Sequence, residues 1–340
     1  MIVQQAAAGI IDKLAEGLHG EVAVFGSMNA DYTVKVKELP QPGETVSASP
    51  LEVLPGGKSS NQAAAAALLG ASVSMFAMVG DDFNGHFLKK RLQKTGVDIS
   101  GIKTVNAATG STLITVDADG ENTIAYSAGA NALLDKQYVS SIRERLVSAS
   151  ILGLCLETPI EAVESCAQLA HDSGVTVLLN DSPVKPLSDE LKQSIDVLLV
   201  NEHELKTLIG LDAPDHLDVP YEWNHVIRRL EESGFSRTAV TMGSRGVILL
   251  DKGSSFRIPA IHINPVDTTG CGDSFMGALL AGLASKLDLV RAARIATCVS
   301  AYAALSDGAQ SSYGDNHQIV NFLQKNVDYM QTLNHDEIDC

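Results

Sequence analysis

The chain has 340 residues, 45% of them hydrophobic, and a formal net charge of −16. That length fits one large α/β domain, alone or with a small appendage. The negative charge sets the chain against nucleic acid, whose polyphosphate backbone it repels. It does not exclude a nucleotide: salt screens a diffuse field beyond about 8–10 Å, and oriented backbone N–H groups with one metal ion outweigh it locally.

Five cysteines, Cys155, Cys166, Cys271, Cys298 and Cys340, form no C-x-x-C pair, and the nine histidines show no H-E-x-x-H spacing. The odd count argues for a reducing cytoplasm and against a disulfide framework or zinc site. No apolar run reaches the roughly 18–20 residues that span a bilayer, so a cytoplasmic location without membrane contact is expected. Residues 1–20 carry apolar Ile10, Ile11, Leu14 and Leu18 at helical spacing. They lack the basic start and apolar core of a secretory signal and read as an N-terminal surface extension.

A first strand spans 21–25 and runs into Gly-Ser-Met-Asn-Ala-Asp at 26–31. Tyr32, Val34 and Val36 then alternate with polar Thr33, Lys35 and Lys37, the period-two mark of a half-buried strand. Residues 111–117 and 122–126, joined by Ala-Asp-Gly at 118–120, read as a hairpin. These segments predict a small sheet apart from the main one, with strands within about 31–48 and 109–127.

Elsewhere strand and helix alternate. Helices are expected over 61–69, 83–95 and 160–173, the last two ending at Gly96 and Gly174 as C-terminal glycines. Strands are expected over 72–78, 149–156, 175–180, 197–200 and 236–241, and a polar loop over 212–221. This order predicts a mostly parallel sheet covered on both faces by helices, a three-layer α/β sandwich spanning 21–325, followed by a tail over 326–340.

The sharpest local pattern is Asp-Thr-Thr-Gly-Cys-Gly-Asp at 267–273, followed by an apolar helix over 276–284. A glycine-rich turn opening a helix presents unpaired N–H groups at the positive end of the helix dipole, a ready anion site. Asp273 lies in the first turn, where a carboxylate can accept the proton of a hydroxyl attacking a phosphoryl group. A plain glycine turn with an Asp cap is the alternative.

Gly-Gly-Lys-Ser-Ser-Asn-Gln-Ala at 56–63 approaches a P-loop but fails it, because Glu52 stands where the pattern needs Gly or Ala. It still allows a polar ligand close to backbone, with Lys58 and Asn61 as donors; the bland reading is a strand–helix turn. Asn29 and Asp31 follow the first strand, where open α/β sheets bind ligands, and suit two vicinal hydroxyls; Asn-x-Asp is also common turn chemistry. Asn201 and Glu204 follow a strand and fit either a hydrated Mg²⁺ or a helix capping box, and both can hold together. Thr-Met-Gly-Ser-Arg-Gly at 241–246 is a strand end and glycine turn suited to nucleotide phosphates.

These motifs together resemble the PfkB (ribokinase-like) carbohydrate kinases, from about residue 21 to 322. The resemblance rests on Gly56 to Ala63 with Val-Gly-Asp-Asp at 79–82, on Asp267 to Asp273, and on Asn201-x-x-Glu204 and Gly-Ser-Arg-Gly at 243–246 between them. It implies a ribokinase-like fold with a small β-sheet lid that also pairs two subunits as a homodimer. It implies Asp273 as base and Gly270, Cys271 and Gly272 as anion hole. Asn29, Asp31, Gly57, Lys58, Asn61, Glu157 and Asp273 are the implied sugar contacts. The implied nucleotide contacts are Asn201, Thr241, Gly243, Ser244, Gly246, Gly272 and Thr297, with Glu204 holding Mg²⁺ through water. Asp267, Thr269, Ala303, Gly308 and Ser312 match positions that hold a monovalent cation, usually K⁺. The expected reaction is transfer of the ATP γ-phosphoryl to a sugar CH₂OH, O5 of D-ribose. Fructose, tagatose, deoxyribose or a nucleoside are alternative acceptors, and a sugar sensor without catalysis is the alternative class. Two departures stand out: Ser59-Ser60 replaces the usual Gly-Ala after the lysine, and Cys271 adds a thiol to the anion hole.

Overall fold

The computed structural model describes residues 2–213, 220–326 and 337–338. The tail expected beyond 326 lies largely outside them, as does most of the polar loop expected over 212–221; a helix, Pro220–Glu232, already begins at its end.

The core strands are short apolar runs. Every residue of Ile151–Cys155 is buried, as are the first four of Val197–Asn201. Such runs suit strands covered on both faces. They assemble into one ten-stranded sheet. Its parallel part runs in the order Arg237–Thr241, Val197–Asn201, Thr176–Asn180, Ile151–Cys155, Glu21–Phe25, Ser72–Gly80, Ile102–Val105, with Val22 opposite both Val73 and Ile151. Val247–Asp251 and Ser254–Ile258 continue the sheet antiparallel beyond Arg237–Thr241. The sequence reading left out this hairpin and Ile102–Val105.

Helices cover both faces. Lys58–Leu68, Cys271–Ala284 and Leu289–Ala303 enclose one apolar core, and Ile160–Asp172 with Glu202–Ile209 and Pro220–Glu232 enclose the other. The Ala-rich Lys58–Leu68 helix packs very closely on Cys271–Ala284. A Cβ at Gly277 would sit 2.5 Å from the Gln62 carbonyl oxygen. The N-terminal helix, Ile2–Glu16, differs from the surface extension expected. Ile10 and Leu14 are buried in the first core together with Leu18, which follows the helix, because their spacing forms one apolar stripe.

The small sheet has four strands: Glu52–Gly56, Asn29–Lys35, Gly110–Val116 and Asn122–Ser127. The hairpin pairs antiparallel, with Leu113 opposite Ala125. Two details differ from the sequence reading. The Asn29–Lys35 strand starts at Asn29, so Asn29 and Asp31 are strand residues at the hinge between the two sheets. Glu52–Gly56 is a lid strand as well, although its Pro55 and Gly56 read as a turn; Pro55 pairs with Ala30 on the sheet's edge. Asp82, from the first signature, fastens the lid's base. Its carboxylate caps the Phe83–Gln93 helix through Gly85 N–H and accepts from Thr109 Oγ1 at 2.6 Å.

Candidate active site

The site lies beyond the carboxyl ends of the parallel strands, where the chain leaves the sheet and backbone groups are unpaired. Each strand delivers part of it: Glu21–Phe25 leads to Asn29 and Asp31, Ile151–Cys155 to Glu157, and Val197–Asn201 and Arg237–Thr241 end on the paired residues Asn201 and Thr241.

Asp273 sits in the first turn of Cys271–Ala284, capped by Gly270 in the left-handed region at φ 75°. It is 8% exposed. Burial pushes its carboxyl up; Lys58 opposes this most, followed by the Asn61 side chain. The amide of Asn61 donates from Nδ2 to Asp273 Oδ2 at 2.9 Å, and Gln62 Nε2 lies 3.2 Å from Oδ1. Burial lowers Lys58, but the carboxylates of Asp273 and Glu157 outweigh it and hold the ammonium above its ordinary value. A carboxylate and an ammonium thus face one space beside a helix N-terminus, where the Cys271 N–H donates to Thr268 O at 3.2 Å. That arrangement can take a proton from a hydroxyl and stabilise charge on a transferring anion.

Glu157 is held by two donors on one oxygen: Ser27 Oγ at 2.6 Å and Lys58 N–H at 3.0 Å. Asn29 Oδ1 accepts from Asn131 Nδ2 at 2.7 Å, which leaves the Asn29 amide nitrogen available as a donor. Burial pushes the Asp31 carboxyl up to about 6, against a Thr112 hydrogen bond and with the Glu157 and Asp273 charges adding to it. Gly57, at φ 92°, brings the start of the Lys58–Leu68 helix onto Asn29; a Cβ there would lie 2.8 Å from the Asn29 nitrogen. Asn29, Asp31, Gly57, Lys58, Asn61, Glu157 and Asp273 therefore belong to one connected neighbourhood. Ser27, Gln62, Thr112, Asn131 and Gln310 also build it and were absent from the sequence reading. Ser27 and Gln62 stand inside the stretches 26–31 and 56–63, but no local pattern marks these roles, since the partners lie far away in the chain.

The residues expected to meet a nucleotide flank this neighbourhood. Gly243 and Ser244 are exposed in the turn Gly243–Arg245, and Gly246 is buried at φ 104°. Gly272 is exposed, while Thr297 is buried and donates to Ala293 O at 3.0 Å. Asn201 and Glu204 form a complete capping box: Asn201 Oδ1 accepts from Glu204 N–H at 2.9 Å, and Glu204 Oε2 from Asn201 N–H at 2.8 Å. Glu204 keeps one oxygen outside that box. Asp181, fully buried, makes no close hydrogen bond through either oxygen; burial pushes it up to about 7 against the Lys185 backbone N–H, and the Glu204 charge adds to it. Two hard carboxylates with spare oxygens fit a hydrated dication. Among the described residues no group of three or more acidic, His or Cys side chains converges as a metal cage.

Asp267 joins the loops that carry the five expected cation positions. Its oxygens accept from Thr269 N–H at 2.9 Å and Gly308 N–H at 2.8 Å. Burial pushes against ionisation, but those N–H groups hold Asp267 below the usual carboxylate range. Ala303 and Ser312 are buried nearby in sequence, with Ser312 Oγ 2.9 Å from Ala309 O. Carbonyls, a hydroxyl and an ionised carboxylate are the donor types a hard monovalent cation takes.

With this geometry in view, the comparisons with known proteins are specific. The family model described as pfkB family carbohydrate kinase matches residues 20–316. The ribokinase of Haemophilus influenzae is 33% identical over 304 residues, spanning 89% of this chain and 98% of that protein. The deoxyribokinase of Salmonella typhi is 30% identical over 310 residues, spanning 90% and 99%. The solved structure of Arabidopsis thaliana ribokinase complexed with ribose and ATP aligns with a TM-score of 0.83 at 28% identity, covering 90% of this chain and 99% of that one. The chain belongs to the pfkB family of carbohydrate kinases. No described helix is long and apolar enough to cross a membrane.

Proposed function

We propose that this protein transfers the γ-phosphoryl group of ATP to O5 of D-ribose, giving D-ribose 5-phosphate. The observation that carries the reading is Asp273: a buried carboxylate at a helix N-terminus, held by two amides and facing Lys58. Asp273 takes the proton of the attacking hydroxyl. The N–H groups of Gly270, Cys271 and Gly272 receive the charge of the phosphoryl group in flight. Asn29, Asp31, Lys58, Asn61 and Glu157 hold the sugar hydroxyls. Asn201, Thr241, Gly243, Ser244, Gly246, Gly272 and Thr297 hold the nucleotide. Glu204, with Asp181 beside it, would hold Mg²⁺ through water, and that ion would supply charge neutralisation at the phosphates. Asp267, Thr269, Ala303, Gly308 and Ser312 would hold K⁺, which would supply positive charge beside the anion-hole turn.

A second acceptor, 2-deoxyribose, has support in the similarity to the deoxyribokinase. The Asn29 and Asp31 pair favours ribose, because adjacent hydroxyls use both side chains. The lid exposes Leu113 on one face of its hairpin and Ile124 on the other, 60% and 59% exposed, apolar surface that supports pairing of two lids in a homodimer. Among the described residues Cys155, Cys166, Cys271 and Cys298 are free thiols, which supports a cytoplasmic location. The test is ADP release from Mg²⁺-ATP against a panel of sugars and nucleosides, with and without K⁺. A dominant, K⁺-stimulated rate with ribose is expected. A dominant rate with another acceptor would replace ribose, and no turnover with any of them would overturn the kinase reading.

A further inference from the structure

Gln310 lies in the segment after Leu289–Ala303, between the expected cation positions Gly308 and Ser312, and its side chain enters the site. Its Nε2 is 3.2 Å from Ser60 Oγ and 3.0 Å from Asn61 Oδ1. Ser60 settles which end of each amide points where. The Ser60 hydroxyl faces two carbonyl oxygens, Gly56 O at 2.6 Å and Gly57 O at 3.1 Å. Carbonyls only accept, so the single Ser60 proton goes to one of them, and towards Gln310 the hydroxyl can only accept. Gln310 must therefore present its NH₂ group. The second N–H of that group meets Asn61 Oδ1, which turns Asn61 Nδ2 towards Asp273 Oδ2 at 2.9 Å. An Asn61 flipped the other way would set its oxygen against the carboxylate, two acceptors face to face.

We propose that Ser60, Gln310 and Asn61 form a hydrogen-bond relay of fixed polarity in which Gln310 is a positioning residue for Asp273. The proposal rests on the reading of Asp273 as the base. The relay keeps one N–H donor permanently aimed at Asp273, which favours its ionised, proton-accepting form against burial. Gln62 supplies the second donor. The other charged and titratable groups that face Asp273 are Lys58, Glu157, Asp31, Cys271 and Tyr313; Gln310→Leu adds no charge among them, whereas Gln310→Glu adds one.

The experiment follows the Asp273 carboxyl itself, by ¹³C NMR of protein labelled with carboxyl-¹³C aspartate. The Asp273 signal is assigned by its loss in Asp273→Asn. Wild type is compared with Gln310→Leu, which removes the donor, and Gln310→Glu, which replaces it with an acceptor and invites Asn61 to flip. The Asp273 titration midpoint is expected to rise in both, further in Gln310→Glu. Loss of one such hydrogen bond should lower kcat with ribose roughly 2- to 10-fold, more than it raises the sugar KM, and move the acid limb of the rate profile to higher pH. In an Asp273→Asn background the same change should cost nothing further. An unmoved Asp273 midpoint in the neutral Gln310→Leu, or an equal loss in the Asp273→Asn background, would overturn the relay. Should Gln310→Glu fail to fold, Gln310→Leu and Ser60→Ala carry the same comparison. The NMR titration needs no acceptor, so failure of the relay is distinguishable from failure of the ribose kinase reading.

Discussion

Asn61 Nδ2 lies 2.9 Å from Asp273 Oδ2, a contact between residues 212 positions apart. It joins the two glycine-rich signatures into one site. The Lys58–Leu68 helix brings Lys58 and Asn61 and Cys271–Ala284 brings Asp273, and their close packing fixes the distance between them.

Replacing Asp273 with Asn keeps the shape and removes the base. Turnover should fall about 10²- to 10⁴-fold while sugar binding, followed by calorimetry, persists. Near-normal kcat in this variant would refute the assignment.

The helix contact can be tested without touching the chemistry. In Gly277→Ala the new methyl meets the Gln62 carbonyl and Ala65 Cβ, 2.5 and 2.6 Å from its ideal position. Backbone cannot yield cheaply, so stability should drop by about 1–3 kcal/mol. The midpoint of urea unfolding reads this directly, and an unchanged midpoint would mean the helices are less tightly apposed.

The pH dependence has a definite sign. The proposed base Asp273 would work ionised, and burial raises its folded pKa above the ordinary 3.8. Activity should therefore fall as pH drops through a midpoint higher than that of a free Asp side chain, earlier than an exposed carboxylate would allow. A kcat/KM profile with an acid limb at or below the free value would contradict the buried, crowded base.

Asp31 links function to stability. Its folded pKa is about 6 against 3.8, so the folded chain binds the proton more tightly than the unfolded one. The associated stability is present below pH 4 and is lost as pH rises to about 6 and beyond. Asp31→Asn should therefore be more stable than wild type at pH 7, on the order of 1 kcal/mol, with the difference vanishing near pH 4, while its sugar KM rises. Thermal melts at the two pH values test this.

Cys271 should resist thiol chemistry despite its place at the start of the helix that carries Asp273. Burial, with the Asp267 charge adding, pushes its thiol up to about 11, and the reactive thiolate is scarce at neutral pH. Mass mapping after mild alkylation at pH 7 should find Cys271, with buried Cys155, Cys166 and Cys298, largely unmodified. Rapid labelling at Cys271 would show an opener, more electropositive turn than the one described.

The sequence by itself determined the alternation of apolar strands and helices, the lid hairpin over 111–126, and the chemistry of Asp273, Lys58 and Asn61. Those features rest on local period, glycine turns and residue type, which neighbours along the chain express directly. Other features had no local signal. Glu52–Gly56 became a strand because Asn29–Lys35 pairs with it, overriding the turn character of Pro55 and Gly56. The helix Ile2–Glu16 could be read, but not that it docks into the core. Ser27 on Glu157, Asn131 on Asn29 and Gln310 on Asn61 were decided only by tertiary structure. A hydrogen bond between side chains 102 to 249 positions apart leaves no periodic trace, because neither partner's neighbours need to change for it to form.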